Sequence, residues 1–127
     1  MKARVLKFIP GPFGIYRFSP DMPLPADLEN SKPYWIGHTE DELSVVCLES
    51  IGLKAEKVDL GWACFRILGP LGFSMTGVLA EIAGVFAEAE ISIFAISTFD
   101  TDHVLCRASL ADFARRTLED AGYTVQA

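Results

Sequence analysis

The chain has 127 residues, of which 50% are hydrophobic and 22% charged, a composition typical of a folded protein with one sizeable core or two small ones. Its net charge is -6 and its 11 basic residues are scattered, so it offers no cationic stripe to a nucleic acid. No apolar run approaches the ~20 residues that a membrane-spanning helix needs, which disfavours a membrane protein.

The beginning of the chain, MKARVLKFIPGPFG, lacks the continuous apolar region and the cleavage site of a signal peptide. The three cysteines, Cys47, Cys64 and Cys106, have no CxxC spacing, and each lies in a run that predicts a strand. This pattern indicates buried, reduced thiols. Both observations favour a cytoplasmic protein, and no motif predicts a cofactor.

The first half of the chain predicts mainly strands. The prolines of the segment Pro20 to Pro33 allow only a short helix there. The predicted strands run from Val5 to Ile9, Phe13 to Phe18, Tyr34 to His38, Leu43 to Glu49 and near Lys54 to Val58.

The second half begins with a strand, a loop and a helix. The run from Trp62 to Leu68 alternates, so that Ala63, Phe65 and Ile67 share one face of a strand. The segment GPLGFSMTG follows as a Gly/Pro-rich loop in which Ser74 or Thr76 could cap a helix. Helical spacing over Gly77 to Glu90 predicts an amphipathic helix with its apolar stripe at Val78, Leu79, Ile82, Val85, Phe86 and Ala89.

A hairpin and a second helix complete this half. The runs Ile91 to Thr98 and His103 to Ala108 predict two strands joined by FDTD. The next helix is predicted to begin at Ser109 as N-cap and to end at Gly122, and a short strand, YTVQA, closes the chain. The apolar stripe of this second helix is predicted at Leu110, Phe113, Ala114, Leu118 and Ala121. The order βαββαβ predicts an α+β fold with two helices on one face of a four-stranded antiparallel sheet.

The chain contains an internal repeat. A shift of 59 residues aligns GHTEDELSVVC with ISTFDTDHVLC without a gap, so that Thr39 matches Thr98 and Cys47 matches Cys106. We therefore expect two tandem ferredoxin-like modules, a degenerate one at residues 1–60 and a second at residues 61–127.

The segment ISTFDTDHVLC is open to three interpretations. It contains metal donors, but residues three apart in a strand point to opposite faces, so His103 and Cys106 do not converge. An acid–base pair of Asp102 and His103 would make a small enzyme, although no nucleophile motif accompanies it. The third interpretation, a plain hairpin turn, requires the fewest assumptions, because Asp and Thr side chains form hydrogen bonds to nearby backbone amides.

The loop GPLGFSMTG is the other candidate site. Its glycines permit close backbone approach, and a helix N-terminus offers unpaired N–H groups to an anion such as a carboxylate. The loop has neither of the glycine patterns of nucleotide-binding loops, so nucleotides are disfavoured.

The run WACFRILGPLGFSMTGVLAEIAGVFAEAEISIFAISTFDTDHVLC resembles an ACT domain, of the kind found in stand-alone bacterial amino-acid-binding ACT proteins and in the CASTOR arginine sensors. The earlier segments YWIGHTEDE and ELSVVCLE resemble the partner module. The resemblance implies tandem ferredoxin-like ACT modules that hold an amino acid where modules meet. Because this chain has two modules and the CASTOR proteins have four, it also implies a homodimer.

Applied to this chain, the resemblance implies that the ligand lies between the loop GPLGFSMTG and the hairpin at FDTD. Gly72, Phe73 and Ser74 are expected to approach the ligand carboxylate, and Asp100 and Asp102 to face an amine or a basic side chain such as that of arginine. The full set of expected ligand-binding residues is Gly69, Leu71, Gly72, Phe73, Ser74, Ser97, Thr98, Asp100 and Asp102.

The sequence thus predicts a regulatory protein, not an enzyme, that binds an amino acid and signals occupancy to a protein partner through the arrangement of its modules. The alternative is a structural interaction module whose pocket is vestigial.

Overall fold

The computed structural model of the protein describes residues 4–68 and 77–127. In this part of the chain three short 3-10 segments, Ala26–Asn30, Glu49–Ile51 and Ala108–Leu110, accompany the regular elements. Those elements are β1 (Val5–Phe18), β2 (Trp35–His38), β3 (Leu43–Leu48), β4 (Lys57–Ile67), α1 (Val78–Glu88), β5 (Phe94–Ser97), β6 (Asp102–Arg107), α2 (Ala111–Asp120) and β7 (Thr124–Gln126). None of the described helices is long and apolar enough to cross a membrane.

The chain divides into two compact units. The larger unit comprises Met1–Pro10 and Ala63–Ala127, and the smaller unit comprises Gly11–Trp62. The two long strands β1 and β4 each contribute residues to both units. Residues 4–10, which the sequence division places with the first module, therefore belong to the unit that contains the second half of the chain.

The larger unit is an α+β fold with the element order β-α-β-β-α-β from β4 to β7, as the sequence predicts. Its sheet differs from the predicted one, because the start of β1 adds a fifth strand beside β7 and β4. Val5 to Lys7 pair in parallel with β7, and the N–H of Leu68 donates to the carbonyl of Val5 at 2.9 Å. The prediction of a purely antiparallel sheet of four strands is wrong here. Leu6 is fully buried in this unit's core, which explains why the first strand is held there.

The core of the larger unit lies between one face of the sheet and the two helices. Ala63, Phe65 and Ile67 all contribute to it, which confirms the predicted alternation of β4. The whole predicted stripe of α1 contributes as well. In α2 the prediction fails at Phe113, which is 43% exposed. The apolar stripe on and beside this helix consists of Leu110, Ala111, Ala114, Leu118 and Ala121, so Ala111 takes the place of Phe113.

The predicted start of α2 is wrong, and its predicted end is confirmed. Ser109 is not the N-cap, because it lies inside the 3-10 segment Ala108–Leu110 that runs directly into the helix at Ala111. No side chain caps α2. At the other end Gly122 has φ 100°, and the N–H of Tyr123 donates to the carbonyl of Leu118 at 3.0 Å. This arrangement is a glycine C-terminal cap and confirms the predicted end.

The smaller unit has strand order β2, β3, β1, β4, with β3 antiparallel to both β2 and β1. Its core contains Tyr16, Phe18, Leu28, Leu43, Val45 and Cys47. The strands predicted on either side of Gly61 are a single strand, β4. Gly61 has φ 85°, and its N–H donates to the Glu49 carboxylate at 2.6 Å. That bond gives the glycine N–H a charged acceptor, so β4 continues through a residue that weakens a strand interior.

Candidate ligand-binding site

The β5–β6 hairpin turns through Thr98 to Thr101. Ser97 and Asp102 are the last paired residues, so the turn has the four residues between them. Thr98 donates to the carbonyl of Thr101 twice, from its N–H at 2.8 Å and from its Oγ1 at 3.0 Å. These bonds confirm the hairpin predicted at FDTD and show that threonines close it.

Thr101 fastens this turn to the end of β4. Among the residues that the structure describes it is the one buried polar residue, 6% exposed, and its hydroxyl donates to the carbonyl of Ile67. Ile67 comes two residues before Gly69, where the predicted ligand-binding loop begins. The hydrogen bond therefore holds the turn at the point where the chain enters that loop. Sequence reasoning missed Thr101, since nothing in FDTD distinguishes a buried threonine from an exposed one.

The predicted site residues of the hairpin lie close together along the chain and differ in exposure. Ser97, Thr98 and Asp100 are exposed, and Asp102 is half-buried. Ser97 and Asp102 are register partners, so both side chains lie on the face of the sheet that carries Val104 and the helices. The remaining predicted residues, Gly69, Leu71, Gly72, Phe73 and Ser74, lie outside the described residues.

His103 and Arg66 lie on the opposite face of the same sheet. Arg66 stands between the core residues Phe65 and Ile67, so its side chain points away from the helices, as does that of His103, which precedes the core residue Val104. Burial lowers the pKa of His103, the nearby charge of Arg66 lowers it further, and Asp102 opposes the shift. The imidazole is therefore held in its neutral form at neutral pH.

Arg66 was not among the predicted site residues. It is exposed, and it makes no hydrogen bond or ion pair with any described residue. The sequence signal that could have found it is a short one. The triplet FRI, Phe65 to Ile67, resembles YRF, Tyr16 to Phe18, in the first half of the chain.

The described residues hold no group of three or more His, Cys, Asp or Glu placed to bind a metal ion. Burial raises the pKa of the Cys64 thiol to about 12 and the pKa values of the Cys47 and Cys106 thiols to about 11. A thiol with such a pKa stays protonated at neutral pH and is a poor nucleophile. These cysteines therefore contribute to packing.

The smaller unit contains a turn of the same construction. His38 and Leu43 are the last paired residues of β2 and β3, and they correspond to Ser97 and Asp102 under the shift of 59 residues. The N–H of Thr39 donates to the carbonyl of Glu42 at 2.9 Å, as that of Thr98 does to Thr101. The two aligned sequence segments therefore form hairpins with turns at matching positions.

Comparisons with known proteins agree with this fold. The sequence model of the ACT domain family matches residues 57–120, about half of the chain, and a second model, described as an N-terminal domain, matches residues 11–51. The chain belongs to the ACT domain family.

The chain is also similar to three further proteins. A protein of Agobacterium tumefaciens has a crystal structure with a TM-score of 0.89 and 34% sequence identity, covering 98% of this chain and 93% of that one. The regulatory subunit of aspartate kinase from Thermus thermophilus has a TM-score of 0.61 at 17% identity, over 87% of this chain and 93% of its own, and shows likeness of fold.

The third is the human cytosolic arginine sensor for mTORC1 subunit 1, which is 53% identical over 45 residues. The match covers 35% of this chain and 14% of the length of that relative. The likeness to the arginine sensor is therefore strong over a short segment.

Proposed function

We propose that the protein is a regulatory protein that binds an amino acid at the rim of its larger unit, between the segment 69–76 and the β5–β6 turn. The hydrogen bond from Thr101 to Ile67 is the observation that carries this proposal. It fixes the turn, with its predicted ligand residues, beside the end of β4 from which the predicted loop departs. Membership in the ACT domain family supports amino acid binding at this place.

The ligand that fits the hairpin best is a cationic amino acid. Asp100 is exposed in the turn and Asp102 is half-buried beside it, so two carboxylates are available to an amine or a guanidinium group. The short match to proteins named as arginine sensors supports arginine in particular. Ser97, on the same face as Asp102, adds a hydroxyl to this set.

The regulatory step in this proposal is a change in the arrangement of ACT modules in a cytoplasmic homodimer, read by a protein partner. A ligand that contacts two modules shifts their equilibrium by its difference in affinity for the two arrangements. The matching hairpins at Thr39 and Thr98 support a duplicated module, which is the basis of such an arrangement.

A thermal-shift screen of the twenty amino acids tests the binding. A ligand at 100 times its dissociation constant stabilises the folded state by about 2.7 kcal/mol, which raises the melting temperature by several degrees. We expect L-arginine or L-lysine to give a selective rise. The absence of a selective response to any of the twenty would contradict the proposal and favour an interaction module with a vestigial pocket.

Substitutions locate the site. Asp100→Asn and Asp102→Asn should each reduce the ligand-induced rise, because each removes a negative charge while keeping the shape of the side chain. Asp41→Asn is the matched control, since Asp41 holds the corresponding position in the turn of the smaller unit. If all three variants respond like the unsubstituted protein, the ligand binds elsewhere.

A further inference from the structure

Each unit carries an arginine at the same place in its sheet. Arg17 is the next-to-last residue of β1, and Arg66 is the next-to-last residue of β4. Each stands between two buried residues that belong to the core of its unit, Tyr16 and Phe18 in one case and Phe65 and Ile67 in the other. Both arginines therefore point to the face of the sheet opposite that core.

The neighbours of the two arginines correspond as well. Arg17 is the register partner of Ser44 in β3. The charge of Arg66 acts on His103 in β6, the strand next to β4. Ser44 and His103 are related by the shift of 59 residues that also aligns the two hairpin turns. The two arginines are thus equivalent positions of a repeated arrangement.

In the smaller unit this arginine holds a carboxylate. Nη1 of Arg17 lies 2.9 Å from Oε1 of Glu56, and Nη2 donates to the carbonyl of Asp41 in the β2–β3 turn at 3.1 Å. The guanidinium therefore joins a carboxylate to the turn. Glu56 comes directly before β4, so the smaller unit supplies this carboxylate from its own chain.

In the larger unit the corresponding carboxylate is missing from the described residues. Arg66 has no ion pair there, although it is exposed and stands beside the β5–β6 turn. The strand beside β4 in the larger unit is the start of β1, and the residue that precedes β1 as Glu56 precedes β4 is Arg4, which carries no carboxylate. The arginine is present in both units, whereas an acidic partner is present among the described residues of the smaller unit alone.

We propose that Arg66 binds the carboxylate of an external ligand, in the way that Arg17 binds Glu56. The chemical class is an organic carboxylate, and if the proposed function holds, it is the α-carboxylate of the amino acid. A guanidinium on a β-strand presents a planar pair of donors that matches the two oxygens of a carboxylate.

The experiment observes the side-chain Nε–H signal of Arg66 by nuclear magnetic resonance, assigned by its loss in Arg66→Gln. L-Arginine and L-lysine, with any other amino acid that raises the melting temperature, are titrated against agmatine, cadaverine or the corresponding amine that lacks the carboxylate. Sodium acetate and sodium succinate test carboxylates without an amine, and sodium chloride at equal ionic strength is the blank. Arg17→Gln is the matched control variant.

We expect the amino acid to shift the Arg66 signal with saturation and its amine analogue to leave that signal unchanged. Arg66→Gln should weaken amino acid binding at least tenfold, and Arg17→Gln should leave it within twofold. If an amino acid binds while the Arg66 signal stays fixed and Arg66→Gln binds equally well, the role of Arg66 is refuted and the proposed function stands.

A result that supports the Arg66 site and refutes the amino acid function can be distinguished from the one above. Should acetate or succinate shift the Arg66 signal with saturation while no amino acid stabilises the protein, the carboxylate site is supported and the amino acid function is refuted. If no amino acid stabilises the protein and neither amino acids nor organic acids shift the signal beyond the chloride blank, both proposals are wrong.

Discussion

Thr101 carries the hydrogen bond that joins the β5–β6 turn to the end of β4. We expect Thr101→Val, which keeps the shape and removes the hydroxyl, to leave the carbonyl of Ile67 without its donor. The free energy of unfolding should fall by about 1–3 kcal/mol, measured by urea denaturation. The same change at Thr117, whose hydroxyl donates to the carbonyl of Phe113 at 2.8 Å on the helix surface, is the control and should cost less than about 0.5 kcal/mol. Equal losses in the two variants would contradict the role of Thr101.

Tyr123 gives the protein a pH-dependent stability at alkaline pH. Burial, followed by the hydrogen bond from its hydroxyl to the Glu81 carboxylate, raises the pKa of Tyr123 to about 12. In the unfolded chain the pKa is about 10, so the unfolded state loses its proton first as pH rises. The stabilisation is therefore complete below about pH 10 and is lost progressively between about pH 10 and 12.

Tyr123→Phe lacks this titration. Urea denaturation of both proteins from pH 8 upward should show the original protein more stable at pH 8, with the difference shrinking above pH 10. Glu81→Ala should reduce the difference, and Glu88→Ala, an exposed position on the same helix, is its control. A difference that stays constant from pH 8 to pH 11.5 would show that Tyr123 does not titrate as described.

At the scale of single residues the sequence predicts the hairpin but not its anchoring. Asp and Thr in FDTD are enough to predict a turn, because their preference for turns is local. The burial of Thr101 depends on the carbonyl of Ile67, 34 residues earlier, and no local pattern contains that information. Arg66 was missed because a single arginine in an alternating strand is typical of an exposed face. Only the structure shows that it has no ion pair with any other described residue.

At the scale of the elements, periodicity predicts the helices well and their boundaries less well. The stripe of α1 is complete because every member faces the sheet. The predicted start of α2 is wrong because a 3-10 segment precedes the helix. The serine inside that segment has the same sequence pattern as a capping serine. The sequence predicts two strands where the structure has the single strand β4, because the charged acceptor of the Gly61 N–H, Glu49, lies 12 residues away.

Two glycines test the backbone geometry of the helices. Gly122 ends α2 at φ 100°, where a β-carbon is strained, so Gly122→Ala should lower the free energy of unfolding by about 1 kcal/mol or more. Gly84 lies inside α1, and beyond its chain neighbours and the backbone of its own helix no atom lies within 4 Å of an added β-carbon. Gly84→Ala should therefore raise the free energy of unfolding by about 0.5–1 kcal/mol. Thermal and urea denaturation of both variants measure the effects, and changes of the same sign would contradict this account.

At the scale of the whole molecule, the repeat read from the sequence and the units of the structure agree on the hairpins and differ on the first strand. The matching turns at Thr39 and Thr98 come from the aligned segments. The start of β1, in contrast, pairs with β7 at the far end of the chain. That pairing joins residues more than 115 positions apart. The sequence of the short β7 does not indicate which strand it pairs with, so the pairing could not be predicted.

A substitution at Leu6 tests whether the beginning of β1 belongs to the core of the larger unit. Its side chain is fully buried beside residues of both helices and of β4 and β6. Leu6→Ala removes that apolar volume and should lower the free energy of unfolding by about 2–5 kcal/mol. Leu24→Ala, at a position that is 53% exposed in the smaller unit, makes the same chemical change and should cost less than about 1 kcal/mol. Urea denaturation of the full chain measures both values. If Leu6→Ala costs no more than its control, the first strand does not contribute to the core, and a domain boundary near residue 60 would describe the molecule better than the one in the structure.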